Sequence, residues 1–180
     1  MVFIDSKTAE EKAVMDAAYA VCAAVKTAPK AHGINHLDTA ILTGEDKDKL
    51  AAEMRKISEL PDGAFFARDA GNVDKSAAVV LVGAKETTRG LMERCQLCHY
   101  ENCTACNAAN GCCVFTALDL GIALGAAAAM LSDVHIDNRI MFTIGKAAAA
   151  LGLLGEHKLI MGIPMSVSGK SPFFDRQVSR

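Results

Sequence analysis

Six of the seven cysteines in this 180-residue chain fall within positions 95–113, in the run CQLCHYENCTACNAANGCC: Cys95, Cys98, Cys103, Cys106, Cys112 and Cys113. A segment this crowded with thiols must fold as a loop that turns several sulfurs toward one place. Soft sulfur ligands converging on one point make a metal or cluster site. Cys22 stands alone and reads as a small core residue.

The spacing is CxxC, four residues, CxxC, five residues, then CC. A CxxC pair closes a tight turn, so two thiolates reach one metal with little strain. Zinc would take Cys95, Cys98, Cys103 and Cys106, although zinc sites usually separate their pairs by about a dozen residues or more. Cys98, Cys103 and Cys106 have plant-type 2Fe-2S spacing, which wants a distant fourth cysteine, and none follows Cys113. Cys95, Cys98 and Cys103 have the CxxCxxxxC spacing of some 4Fe-4S modules, with Cys106, Cys112 or Cys113 left to close the cube. A cluster tolerates close-spaced ligands, so iron–sulfur with 4Fe-4S is the preferred reading. Zinc is the alternative, and buried thiols without metal are the third. His99, beside Cys98, is expected to be a solvated loop histidine.

The compartment bears on that choice. The opening residues, MVFIDSKTAEEK, place an acid within the first five and contain no apolar core of secretory length, so a cytoplasmic location is expected. Disulfides are disfavoured there. The 19 basic and 21 acidic residues give a formal charge of −2 without a basic stripe, which argues against nucleic acid as a partner. An apolar content of 51% suffices for one core, so residues 1–180 are expected to form a single domain, with 93–114 as a Cys-rich segment inside it. Residues 112–131 contain Asp119 as their one charge, but they are rich in Ala and Gly and lack Lys/Arg anchors. A fully buried helix is expected there rather than a membrane span.

Thr8 and Glu11 form a capping-box pattern opening a helix over 8–27, and Pro29 ends it. A short apolar strand over 39–42 precedes a second helix with Leu50, Met54 and Ile57 on one face, stopped by Pro61, Asp62 and Gly63. The β-branched run 77–82 suits a central strand. Helices are expected over 114–131 and 138–154, the latter with Asp137, Asn138 and Arg139 as N-cap and first turn. A final strand over 158–163 is expected to stop at Pro164. This order lacks regular βαβ alternation, so the expected class is α+β.

The segments TAPKAHGINHLDTAILTGEDKDKLA (27–51), DLGIALGAAAA (119–129), DNRIMFTIGKAA (137–148) and MGIPMSVSGKSPFFDR (161–176), together with the cysteine run, carry a resemblance over nearly the whole chain. The chain resembles the microbial proteins described as containing a ferredoxin domain, which look like distant relatives of flavin-dependent nitroreductases. The resemblance implies a nitroreductase-like fold: a central, mostly antiparallel sheet flanked by helices, with a Cys-rich metal-binding insert, usually as an intertwined homodimer. It also implies flavin mononucleotide (FMN). The residues that match the flavin contacts are Lys30 and Asn35 and, on the C-terminal side, Lys170 or Arg176; Arg139, in the first turn of its expected helix, is a separate candidate for a phosphate or carboxylate.

Asp119, in an apolar helix, is expected to pair or cap, with Arg139 as candidate partner, or to donate a proton near a redox centre. SVSGKS (166–171) lacks the first glycine of a P-loop and a following helix, which excludes nucleoside triphosphate binding. Gly121 and Gly125 would allow close helix approach, in a dimer or within the chain. The expected function is an iron–sulfur protein in electron transfer or a reductase, hence an oxidoreductase if an enzyme, with a redox protein or small electron acceptor as partner. The alternative is a zinc-stabilised, non-enzymatic binding or assembly module.

Overall fold

The computed structural model describes residues 2–174. Six α-helices and four strands run in the order α1 (Ser6–Thr27), β1 (Leu37–Leu42), α2 (Gly44–Ser58), α3 (Ala64–Asp74), β2 (Ala78–Ala84), α4 (Cys103–Ala108), α5 (Val114–Asp133), β3 (Asp137–Asn138), α6 (Phe142–Ala150) and β4 (Leu159–Ser166). The sheet order is β1-β2-β4-β3, with every neighbouring pair antiparallel. This is the α+β arrangement expected from the sequence.

All seven residues of β2 are buried, because side chains alternate between two covered faces. Ala78, Val80 and Val82 meet α1 and α5 on one face, through Val14, Ala18, Val21, Ala123, Ala127 and Leu131. Val79 and Leu81 meet α2, α3 and α6 on the other, through Leu50, Met54, Val73, Ile144 and Ala148. Gly145 and Gly162 let α6 lie directly on β4. A Cβ on Gly145 would stand 1.7 Å from the Ile160 carbonyl oxygen, and one on Gly162 would stand 2.0 Å from Cγ2 of Ile144.

Several elements differ from the sequence expectation. The N-cap of α1 is Asp5, whose carboxylate accepts from the Thr8 amide at 2.7 Å, so the helix opens before the Thr8–Glu11 box. Helix α3 was not expected behind the Pro-Asp-Gly stop. Asp137 and Asn138 form β3 instead of a helix cap, and α6 begins only at Phe142. Pro164 lies within β4. Gly162 exchanges both backbone bonds with Met141, so Pro164, two residues on, turns its missing N–H toward the same edge, where the ladder with β3 is interrupted.

Helix α5 is buried on one face only. Leu118 and Ile122 are 48% and 47% exposed on the other, correcting the expectation of full burial. By length and composition this helix could cross a membrane, with a mean hydropathy of 1.9, but its inner face packs on α1 and the sheet.

Candidate metal centre

The cysteine segment leaves β2 through a loop and returns into α5. Between them it makes a 3-10 turn over Met92–Arg94 and the short helix α4. Four non-glycine residues here have left-handed backbone: Met92 (φ 50°), Gln96 (φ 49°), His99 (φ 64°) and Asn110 (φ 52°). Such residues are uncommon and persist only where their surroundings hold them. Gln96 lies inside the first CxxC, where the His99 amide donates to the Gln96 carbonyl at 2.9 Å and closes the turn. Asn102 caps α4 through the Ala105 amide at 2.9 Å, which sets Cys103 and Cys106 on the first turn of that helix. The Tyr100 ring lies over Gly111, where a Cβ would meet it at 2.6 Å.

These turns bring Cys95, Cys98, Cys103, Cys106 and Cys113 to the wall of one cavity, closed otherwise by Leu91, Val114 and Phe115 and by Arg89. Cys106 is buried at its centre. Burial pushes its thiol up to about 11, and Cys98, which shares a hydrogen bond with it, pushes the same way, followed by Cys113 and Cys103. Cys113 is the N-cap of α5, and Val114 and Phe115 line the cavity, so the positive end of a 20-residue helix faces the sulfurs. Cys112 is exposed and lies outside that wall. Its thiol is raised by partial burial and by the Glu86 carboxylate, which pairs with Lys158 at 2.6 Å. His99 is exposed, as expected of a solvated loop residue.

The donor set suits a thiophilic metal: five sulfurs among apolar neighbours, beside the N-terminus of α5. Among the described residues, no three His, Cys, Asp or Glu side chains are yet drawn together closely enough to hold a metal ion. The cavity measures about 20 Å³, room for roughly one water-sized sphere. The buried Cys106 thiol, with its raised pKa, is neutral, and metal binding replaces its proton and draws thiolates inward. A single ion enters without enlarging the cavity, whereas a cluster requires the loop to open.

Behind the cavity wall lies a buried ion pair. Asp119 pairs with Arg89 at 2.9 Å, not with Arg139, and its second oxygen accepts from the Ala31 amide at 3.0 Å. Arg139 instead donates to the Phe173 carbonyl at 3.2 Å and stands over the Phe174 ring. Lys30 donates to the carbonyls of Val25, Lys26 and Ala28 at 2.7–3.0 Å, capping the end of α1. Burial lowers its pKa. Asn35 is exposed in the turn before β1. Lys30 and Asn35 therefore precede one edge strand of the sheet and Arg139 follows the other, so a single chain does not gather these anion-binding candidates. Lys170 lies in the turn after β4, and Arg176 lies outside the described residues.

The fold is that of the nitroreductase-like flavoproteins. The chain is similar to a BluB-like flavoprotein of Clostridium difficile 630, with 12% identity and a TM-score of 0.60 over 92% of this chain and 84% of that one. It is similar to a nitroreductase of Desulfitobacterium hafniense DCB-2 solved with bound FMN, with 12% identity and a TM-score of 0.58 over 86% and 78%. It is also similar to the nitroreductase CinD of Lactococcus lactis, solved with nicotinic acid, with 17% identity and a TM-score of 0.55 over 99% and 91%. An uncharacterized protein of Archaeoglobus fulgidus is 38% identical across 97% of this chain and 98% of its own. Residues 109–176 match the family described as uncharacterized proteins containing a ferredoxin domain (DUF2148), and the chain belongs to that family.

Proposed function

We propose that this chain is an iron–sulfur protein acting in electron transfer or as a reductase, an oxidoreductase of the cytoplasm with a 4Fe-4S cluster in the cysteine segment. The observation that carries this reading is the single cavity lined by Cys95, Cys98, Cys103, Cys106 and Cys113. Cys106, with Cys98, Cys103 and Cys113 around it, is the central ligand, Cys95 is the further sulfur on the wall, and Cys112 stays outside. When bound, the cluster supplies one-electron transfer. The chain's own part is to present thiolates, to aim the N-terminal amides of α5 at their charge, and to exclude water with Leu91, Val114 and Phe115.

The electron partner is a redox protein or a small acceptor. A homodimer is supported by the outer face of α5, where Leu118 and Ile122 are exposed beside Gly121 and Gly125, with open space where a Cβ would stand on each glycine. FMN belongs to that dimer reading, because within one chain Lys30 and Asn35 precede one edge strand and Arg139 follows the other. No step is assigned to it. A second reading, one zinc ion stapling the loop, is favoured by the size of the cavity.

The test is anaerobic reconstitution of Cys106→Ser and Cys112→Ser beside the parent protein, with iron and acid-labile sulfide measured per chain. The Cys106→Ser protein is expected to lose most of both, and Cys112→Ser to keep the parent's content. Equal loss in both would contradict the assignment of ligands. Zinc without sulfide in the parent would favour the second reading.

A further inference from the structure

The cavity wall holds one polar side chain whose hydrogen bonding is incomplete. Arg89 is 4% exposed, and a guanidinium carries five N–H donors. Four are accounted for inside the protein. Nη1 donates to the carbonyl and the hydroxyl of Thr87, at 2.5 and 2.7 Å. Nη2 donates to Asp119 at 2.9 Å and lies 2.8 Å from Nε2 of His36. Nε2 of His36 can accept, because Nδ1 lies 3.0 Å from the Ile34 carbonyl and takes the donor role there. The fifth donor, Nε–H, is buried with no acceptor among the described residues. Buried donors left unpaired are rare, and each calls for a partner.

Arg89 lines the cavity whose other wall groups include five sulfurs. The guanidinium is fixed from behind: Asp119 is held by the Ala31 amide, and the Thr87 carbonyl also accepts from Thr116 at 3.1 Å. A donor fixed in this way does not need to reorganise when charge arrives in front of it. We propose that Nε–H of Arg89 donates a hydrogen bond to a sulfur of the cluster held by these cysteines, making Arg89 a positioning residue that raises the reduction potential of the centre. The inference rests on the iron–sulfur reading given above. Its physical basis is that a hydrogen bond to sulfur, from a buried cation, stabilises the more negative, reduced state.

Arg89→Lys keeps a cation beside Asp119 and removes Nε–H. Both proteins, reconstituted without oxygen, are first assayed for iron and sulfide and then titrated with dithionite while the reduced cluster is followed by electron paramagnetic resonance. The expected result is equal loading, with the reduction equilibrium of the variant shifted about tenfold toward the oxidised state, roughly 59 mV for one electron. Equal loading with an unchanged midpoint would overturn the role of Arg89 and leave the iron–sulfur reading standing. A parent protein that takes up neither iron nor sulfide overturns both. Should Arg89→Lys fail to fold, the parent protein labelled with guanidino-nitrogen-15 arginine decides the matter. A nitrogen-15 hyperfine coupling in the reduced cluster supports the bond, and its absence overturns it.

Discussion

Every residue of β2 is buried, whereas in residues 93–114 the buried ones are Cys106 and Cys113, both cysteines. β2 is held by apolar contacts on two faces and by ladders on both edges, none of which requires anything from outside the chain. The cysteine segment has no apolar core of its own and includes three left-handed residues, Gln96, His99 and Asn110. Its stability must come from its sulfurs or from what they bind. The difference separates a scaffold that folds by itself from a loop whose final shape depends on an occupant.

The comparison is broken most severely from the scaffold side. Gly145→Val drives a side chain into the Ile160 carbonyl, and a loss of about 3 kcal/mol or more is expected in urea unfolding. Parental stability would show that α6 does not lie on β4 as described. Next, Leu81→Ala, fully buried in β2, should lose about 2–5 kcal/mol while the folded fraction keeps its metal content. Metal removal acts on the other side: a chelator should expose residues 93–114 to protease while the thermal midpoint of the scaffold moves by only a few degrees. Cooperative melting of the whole chain on chelation would erase the distinction.

The smallest effect concerns pH. Asp38 at the sheet edge is held below the usual carboxylate range, first by Lys85 and then by His157. A carboxyl depressed in the folded state contributes stability above its unfolded value, near pH 4, and loses it as the pH falls through the folded value. Asp38 is half-exposed, so Asp38→Asn should flatten the acid limb of stability by a few tenths of a kcal/mol. An unchanged acid limb would remove this ion pair from the account.

The scaffold was readable where a local pattern determined it. The 3.6-residue spacing of Val14, Ala18, Val21 and Val25 marks α1, and the β-branched run marks β2. Helix α3 escaped because its eleven residues include Gly71 and Asn72 and follow a turn signal, while its burial against α2 and the sheet is a tertiary effect. Pro164 misled because its tolerance in β4 depends on a gap in the neighbouring strand, which sequence does not reveal. In the site, the density of cysteines was plain, but nothing in a Cys112–Cys113 pair says which sulfur turns inward. Arg89 was invisible for a related reason: it sits in a polar loop, thirty residues from its carboxylate partner. Its only signal was an arginine a few residues ahead of the cysteines, with Arg94 closer still.

The most direct measurement is Mössbauer spectroscopy of protein prepared without oxygen from cells grown on iron-57, with sulfide assayed on the same sample. The account expects about four irons per chain, matched by sulfide, with the isomer shift of tetrahedral sulfur-coordinated iron in a 4Fe-4S cluster. Colourless protein carrying zinc alone, or thiols without metal, would contradict it.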